Sequence, residues 1–526
     1  MGDLAGRRQA GLLIPLFSCP SSGSWGIGDI GDLAPLTRWL AAAGQQILQL
    51  LPLNEMAPAV CSPYTAISAM AIDPIFLRVP DVPEFEALGG EPSLNADDRD
   101  ELARVRAAPR IDYPAVRRLK QAALRAAFQR FSEIEWCHGT PRARALKSFV
   151  SEQAWWIEDY ALFRAIHARE EERPWTEWPE ALQRREPAHI DRARRELARE
   201  VLYYQYLQWV AADQWQAARR DAQGVVLFGD LPFMVDADSA DVWARQYQFR
   251  LDASIGAPPD AFSATGQNWG APTYRWDVIG REHFRWLRER ARRSADLYDG
   301  YRIDHVVGFY RTFAWPKDGR EPFFTPAGEE IQTALGECVL TILREAGSTV
   351  IAEDLGTVPD FVRASLSRLA VPGFRVLRWE RRWHDEGQPF RDPADYPSRS
   401  VATSGTHDTE TLAVWWENAP AADRRQVDDL PTIRRIAGAR DLPAEPFNPV
   451  VRDVLLEALF ASGSNLLLLP VQDVFGWRDR INEPATVNDD NWTFRLPWVC
   501  DRLDGIDEAR ERQATLRRWS EQYRRL

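Results

Sequence analysis

Lysine is nearly missing from this chain: of its 65 basic residues only Lys120, Lys147 and Lys317 are lysines, and the other 62 are arginines. The skew reads as the mark of a GC-rich genome rather than of a chemistry. Positive charge is also in deficit, since 77 acids against 65 bases leave −12 and a pI near 5.3. That balance argues against nucleic acid or an anionic membrane as the main partner and fits an electrically neutral substrate. The five cysteines, at 19, 61, 137, 338 and 500, form no C-x-x-C pair and no zinc spacing. Neither a disulfide framework nor a structural metal is encoded, and a reducing cytoplasm is the expected compartment. No apolar run reaches the roughly 18 residues that a membrane helix needs. Arg7 and Arg8 precede an apolar stretch and Cys19 in superficial imitation of an export signal, but Pro15 interrupts the stretch, which reads as well as a buried strand.

What is present is ordinary in bulk and unusual in detail. Hydrophobic residues make up 45% and charged ones 27% of 526 residues, which fits about three globular domains or one large barrel with insertions. Aromatics reach 11%, with 22 tryptophans, and raise the question of flat apolar ligands. Eight short apolar runs, at 11–18, 46–54, 224–235, 301–305, 349–355, 374–379, 400–408 and 465–473, are mostly followed by a polar or glycine-rich turn and a helical pattern. Repeated βα units of this number predict an α/β fold, a (β/α)8 TIM barrel with inserted helical and loop subdomains.

The spacing of the runs is uneven, so a single catalytic barrel over 1–526 must carry insertions. One is a helical subdomain at 55–222, between the second and third strands, with helical patterns around 113–131, 142–168 and 190–219. Another, at 236–298, is a loop subdomain that is rich in Gly, Pro and Trp up to residue 274 and then becomes a charged helix. A last loop and helix occupy 471–526.

Gly26, Gly28 and Gly31 make a literal G-x-G-x-x-G before a helix. A dinucleotide site needs its first glycine directly at the strand end, and here Ser18 to Trp25 intervene; a glycine-rich βα loop is the better reading. The acids are more informative, because barrel chemistry sits at strand C-termini. Three runs end in carboxylates: Arg302-Ile303-Asp304-His305, Ala352-Glu353-Asp354 and Gly405-Thr406-His407-Asp408. Strand alternation puts Arg302 and Asp304 on one side, a cation beside an anion suited to act as a nucleophile. A second carboxyl in a drier position would keep its proton and serve as general acid, the pairing of a retaining glycosidase. His305 and His407 flank these acids as donors to sugar hydroxyls or as supports, and no H-E-x-x-H or similar metal cluster occurs.

With these segments in hand, the chain resembles the 4-alpha-glucanotransferases of glycoside hydrolase family 77 (amylomaltase or disproportionating enzyme), in the α-amylase clan. The resemblance rests on Ser62-Pro63-Tyr64, residues 229–243 and 257–276, the three acidic segments, Arg480-Ile481-Asn482 and Asn491-Trp492. It implies Asp304 as nucleophile, Glu353 as acid/base and Asp408 as the carboxylate that stabilises the transition state. It implies that Arg302 and His407 hold the nucleophile and donor sugar. Tyr64, Asp260, Phe262, Gln267, Trp269 and Asn482 would contact substrate, the stretch from Pro258 to Gly270 being a loop folded over the site. No cofactor or metal is implied, and the expected partners are maltooligosaccharides, amylose or glycogen-derived α-1,4-glucans. The chain departs from the pattern after His305, where it reads Val306-Val307-Gly308, and after Asn482, where Glu483-Pro484 follows. A hydrolase of the same clan, an inert glucan-binding scaffold and, last, a nucleotide-dependent oxidoreductase are the competing readings.

Overall fold

The computed structural model describes residues 4–259, 266–484, 486 and 488–526. Eight parallel strands close a barrel: β1 (Gln9–Leu13), β2 (Ile47–Gln49), β3 (Val226–Leu231), β4 (Gly300–Ile303), β5 (Thr349–Ala352), β6 (Gly373–Val376), β7 (Ser400–Thr403) and β8 (Leu466–Pro470). Each strand neighbours its predecessor and successor, and β8 returns to β1. All eight expected runs supply one strand apiece. They are buried on both faces, as in Leu466 to Leu469, so they read as continuous apolar runs.

Ile47, Phe228, Ile351, Phe374, Val401, Leu466 and Leu468 form a buried cluster inside the barrel, joined by Ala5 from the N-terminal turn. Room for the Phe228 ring comes from its register partner Gly300, where a Cβ would stand 2.5 Å from that ring. The two-residue period then stacks polar side chains on this apolar layer: Asp230 follows Phe228, Arg302 follows Gly300 and Glu353 follows Ile351.

Between β2 and β3 run the helices Tyr113–Arg130, Pro141–Glu152, Ala154–Arg169, Pro187–Glu196 and Ala198–Arg220. Two of the three expected helical patterns are thus each split, at Gln153 and Leu197, where no proline or glycine marks the break. Trp156, Tyr160, Tyr203 and Tyr204 are buried, as expected of core aromatics. The Tyr160 hydroxyl and Arg164 Nε (2.9 Å) both donate to the buried carboxylate of Glu55. The backbone of Glu55 in turn pairs with Ile67 and Ala71, so the helices brace the loop that delivers Tyr64.

The segment after β3 is not the loop expected up to residue 274. Strands Phe249–Ala257 and Gln267–Tyr274 pair antiparallel, and Thr312–Pro316 and Phe323–Thr325, which follow β4, complete a four-stranded sheet. Register shifts around Ser254 and the presence of Gly256 and Pro272 within the strands hide their alternation. The Gly26–Gly28–Gly31 segment is packed, not open: a Cβ on Gly28 would lie 1.9 Å from the Leu16 carbonyl oxygen, and one on Gly26 would meet Val105. Its glycines serve close packing. All five cysteines are free, and among the described residues no helix is long and apolar enough to cross a membrane.

Replacing Phe228 by Ala should empty the centre of the barrel and lower stability by about 3–5 kcal/mol. A urea unfolding midpoint measures the loss, and exposed Leu88 → Ala should change it by no more than about 0.5 kcal/mol.

Candidate active site

The site is built on Arg302. Its register partner on β3 is Asp230, fully buried, and Arg302 Nη1 lies 2.7 and 2.9 Å from the two Asp230 oxygens. The same nitrogen is 3.0 Å from Asp304 Oδ1, while Nη2 is 3.8 Å from Glu353 Oε2. The predicted juxtaposition of Arg302 and Asp304 is present. Asp230 is a member of the group that sequence reasoning missed, because it sits in the middle of the apolar run 224–235 instead of closing it, although β3 itself ends one residue later. Its signal was the alternation of an acid with Phe228 in an otherwise apolar run. The Tyr64 hydroxyl donates to Asp230 Oδ2 at 2.8 Å.

Glu353 stands just beyond β5, at 14% side-chain exposure against 21% for Asp304. Two backbone N–H groups face it, His305 N at 2.8 Å and Leu355 N at 3.3 Å. Burial dominates and, with the Asp304 charge, outweighs Arg302, so the Glu353 carboxyl is pushed up to about 7. Asp408 has the opposite environment. Burial would raise it, but His407, whose Nε2 is 3.3 Å from Oδ2, and Asn482, whose amide donates to Oδ1 at 2.6 Å, bring it down to about 2. Asp230, raised by burial against the pull of Arg302, reaches about 6. Near neutral pH one carboxyl of the site therefore keeps a proton and another does not, the condition for separate acid and anion roles.

Aromatic rings wall the site. Tyr64 stacks on His407 with centroids 5.3 Å apart and 14° between planes, and Trp492 packs against both, at 5.7 and 5.8 Å. Trp492, to which the family resemblance gives no role, has φ +65, a left-handed backbone uncommon for a bulky residue. Across the site the Trp269 ring meets His305 edge-on at 5.2 Å, and Trp269 Nε1 donates to Gln267 Oε1 at 3.1 Å. His305 is packed between Phe233 and Trp269, and burial lowers its pKa below the usual imidazole value. Asp260 and Phe262 lie outside the described residues. No cluster of three or more His, Cys, Asp or Glu suited to a metal occurs among the described residues.

The family model for 4-alpha-glucanotransferase matches residues 14–501. The chain belongs to the 4-alpha-glucanotransferase family. It is 32% identical to the 4-alpha-glucanotransferase of Chlamydia pneumoniae over 494 residues, covering 92% of this chain and 91% of that one. It is also 32% identical to that of Thermus thermophilus over 539 residues, 96% and 99% of the two chains. Among solved structures, amylomaltase from Streptococcus agalactiae in complex with acarbose superimposes with a TM-score of 0.82 at 27% identity, covering 99% of this chain and all of that one. Amylomaltase from Corynebacterium glutamicum gives 0.78 at 25% identity, covering 98% and 76%. Within the family's barrel the present chain brings Tyr64, Arg302, Asp304, Glu353, His407, Asp408 and Asn482 to one face, with Trp269 against His305 and Gln267 bonded to Trp269.

Asp230→Asn keeps the shape of the Arg302 partner and removes its charge. Transfer activity should fall at least about tenfold, and the urea midpoint should fall as well, because a buried guanidinium loses its nearest anion; unchanged activity would show that Arg302 needs only Asp304.

Proposed function

We propose that this 4-alpha-glucanotransferase moves a segment of an α-1,4-glucan to the 4-hydroxyl of a glucose or maltooligosaccharide through a covalent glucanyl-Asp304 intermediate. The observation that carries the reading is the contrast between Glu353, pushed up to about 7, and Asp408, held near 2, on loops next to an Arg302-bound Asp304. Glu353 gives its proton to the glycosidic oxygen as an Asp304 oxygen attacks the anomeric carbon. The bond from that carbon to the oxygen breaks, and the reducing-end fragment leaves with a free 4-hydroxyl. Glu353, now a carboxylate, takes the proton of an incoming 4-hydroxyl, whose oxygen displaces Asp304; two inversions give net retention. Asp408 faces the positive charge that builds on the donor ring in the transition state.

Arg302 and His407 are read as orienting Asp304 and Asp408, and Tyr64 as a wall of the donor subsite. Gln267, Trp269 and Asn482, with Asp260 and Phe262, are read as substrate contacts. Transfer in preference to hydrolysis follows if sugar, bound on these aromatic rings, displaces water from the ester. The barrel alone holds the acids, and the insertions 55–222 and 236–298 and the segment 471–526 are read as its attachments. Maltooligosaccharides, amylose and glycogen-derived chains are the expected substrates, and five unpaired cysteines favour a cytoplasmic location.

Maltotriose tests the reaction. A ladder of longer chains plus glucose at constant reducing ends is expected, whereas rising reducing ends would show a hydrolase. Asp304→Asn should abolish both products.

The proton on Glu353 sets the pH dependence of donor cleavage. Below about 7 the acid is present, and above it the carboxylate takes over, so single-turnover cleavage should fall about tenfold per pH unit on the alkaline side. A rate that stays flat to pH 9 would remove Glu353 from the acid role.

A further inference from the structure

Arg378 is a buried cation without a close counter-ion. Its side chain is 2% exposed, and among the described residues its nearest carboxylate oxygen, Glu410 Oε1, is 3.9 Å away. A guanidinium so placed is costly, and a neutral side chain of similar size would serve stability as well. Residues that break the rules of stability concentrate where a functional geometry depends on them.

What this guanidinium holds is backbone. Nε and Nη2 donate to the Ser404 carbonyl at 3.2 and 3.0 Å, and Nη1 donates to the Glu410 carbonyl at 2.8 Å. Ser404 follows β7 directly, and Glu410 stands two residues past Asp408. The planar fork thus closes the two ends of the turn that carries His407 and Asp408. Arg378 is itself fixed two residues beyond β6: Leu377 N donates to the Thr403 carbonyl at 3.0 Å, and the Trp415 ring centre lies 5.5 Å from the Arg378 Cζ.

The same turn is tied from the side of β8. The buried carboxylate of Asp473 accepts from the Ser404 hydroxyl at 2.5 Å and from Leu412 N at 2.6 Å. Arg480 Nη2 donates to the Asp408 carbonyl at 2.8 Å. Within the turn Thr409 Oγ1 accepts from Thr406 N at 3.1 Å, and a Cβ on Gly405 would stand 2.4 Å from Thr409 Oγ1 and 3.4 Å from Arg378 Nη2. A turn gripped at both ends and filled inside has little room to move its carboxylate.

We propose that Arg378 is a positioning residue for Asp408: by fastening the Ser404 and Glu410 carbonyls it sets that carboxylate against the donor ring, where charge builds in the transition state. The proposal rests on the role given to Asp408 above. The full-length enzyme is tested with α-maltosyl fluoride, a donor whose leaving group needs no acid. Arg378→Met should lower kcat at least about tenfold and leave KM within about twofold. Arg378→Lys, which keeps the charge but holds one carbonyl at a time, should lie between. The deciding measurement is the cycle with Asp408→Asn. Without a carboxylate to place, Arg378→Met should slow cleavage by less than about twofold further, whereas a residue that only supports the fold costs the same factor in both backgrounds. Equal factors, a loss confined to KM or an unchanged kcat overturns the proposal. If Arg378→Met does not fold, Arg378→Lys carries the same cycle. If Asp408→Asn alone leaves cleavage unchanged, the role given to Asp408 fails, and the proposal falls with it.

Discussion

The buried guanidinium of Arg302 is the interaction on which the site depends. It meets Asp230, Asp304 and, at longer range, Glu353. Removing a cation from water is costly unless carboxylates and hydrogen bonds replace the lost hydration. Three acids around one arginine are mutually repulsive without it, so each side needs the other. The planar fork of arginine supplies donors in several fixed directions, which an ammonium on a flexible stem does not. Asp230 takes the closest contact, and Asp304 is left with one shared nitrogen and an open face toward the groove. In the proposed mechanism that division makes Asp230 the structural carboxylate and Asp304 the reactive one.

The arrangement is in turn a consequence of the strand period. Asp230 and Arg302 are register partners on β3 and β4 because Phe228 and Gly300, two residues earlier, are partners in the apolar layer. A ring against a glycine fixes which residues stand opposite one another, and a slip of one residue would turn the charges out of the barrel. The packing beneath the site therefore determines which charges meet within it.

Legibility in the sequence divides along the same lines. Eight parallel strands were readable because strands buried on both faces are apolar runs with polar ends, and the acids at those ends were readable for the same reason. Asp230 was not, since an acid inside such a run gains meaning only when its neighbour's register is known. The four-stranded sheet beside the barrel was hidden by the register shifts around Ser254 and by Gly256 and Pro272, which mimic loop composition. Asn482 and Trp492 carried a family resemblance, but their service to Asp408 and His407 depends on a long-range approach that no local pattern encodes.

Glu353 and Asp408 show why that long-range approach matters. Both are carboxyls at the ends of barrel strands, and burial acts to raise both. Glu353 receives backbone N–H groups from its own loop and from the loop after β4, with Arg302 too distant to offset the dry surroundings. Asp408 receives the Asn482 amide, and the Asn482 backbone N–H also donates to the His407 carbonyl at 3.1 Å, so the segment after β8 pins the whole His407–Asp408 turn. The chain thus completes its site only when the segment after β8, roughly its last tenth, folds back over β7. An eight-stranded barrel without that segment would contain the same acids, but Asp408 would lack the Asn482 amide, which adds to His407 in holding its pKa down.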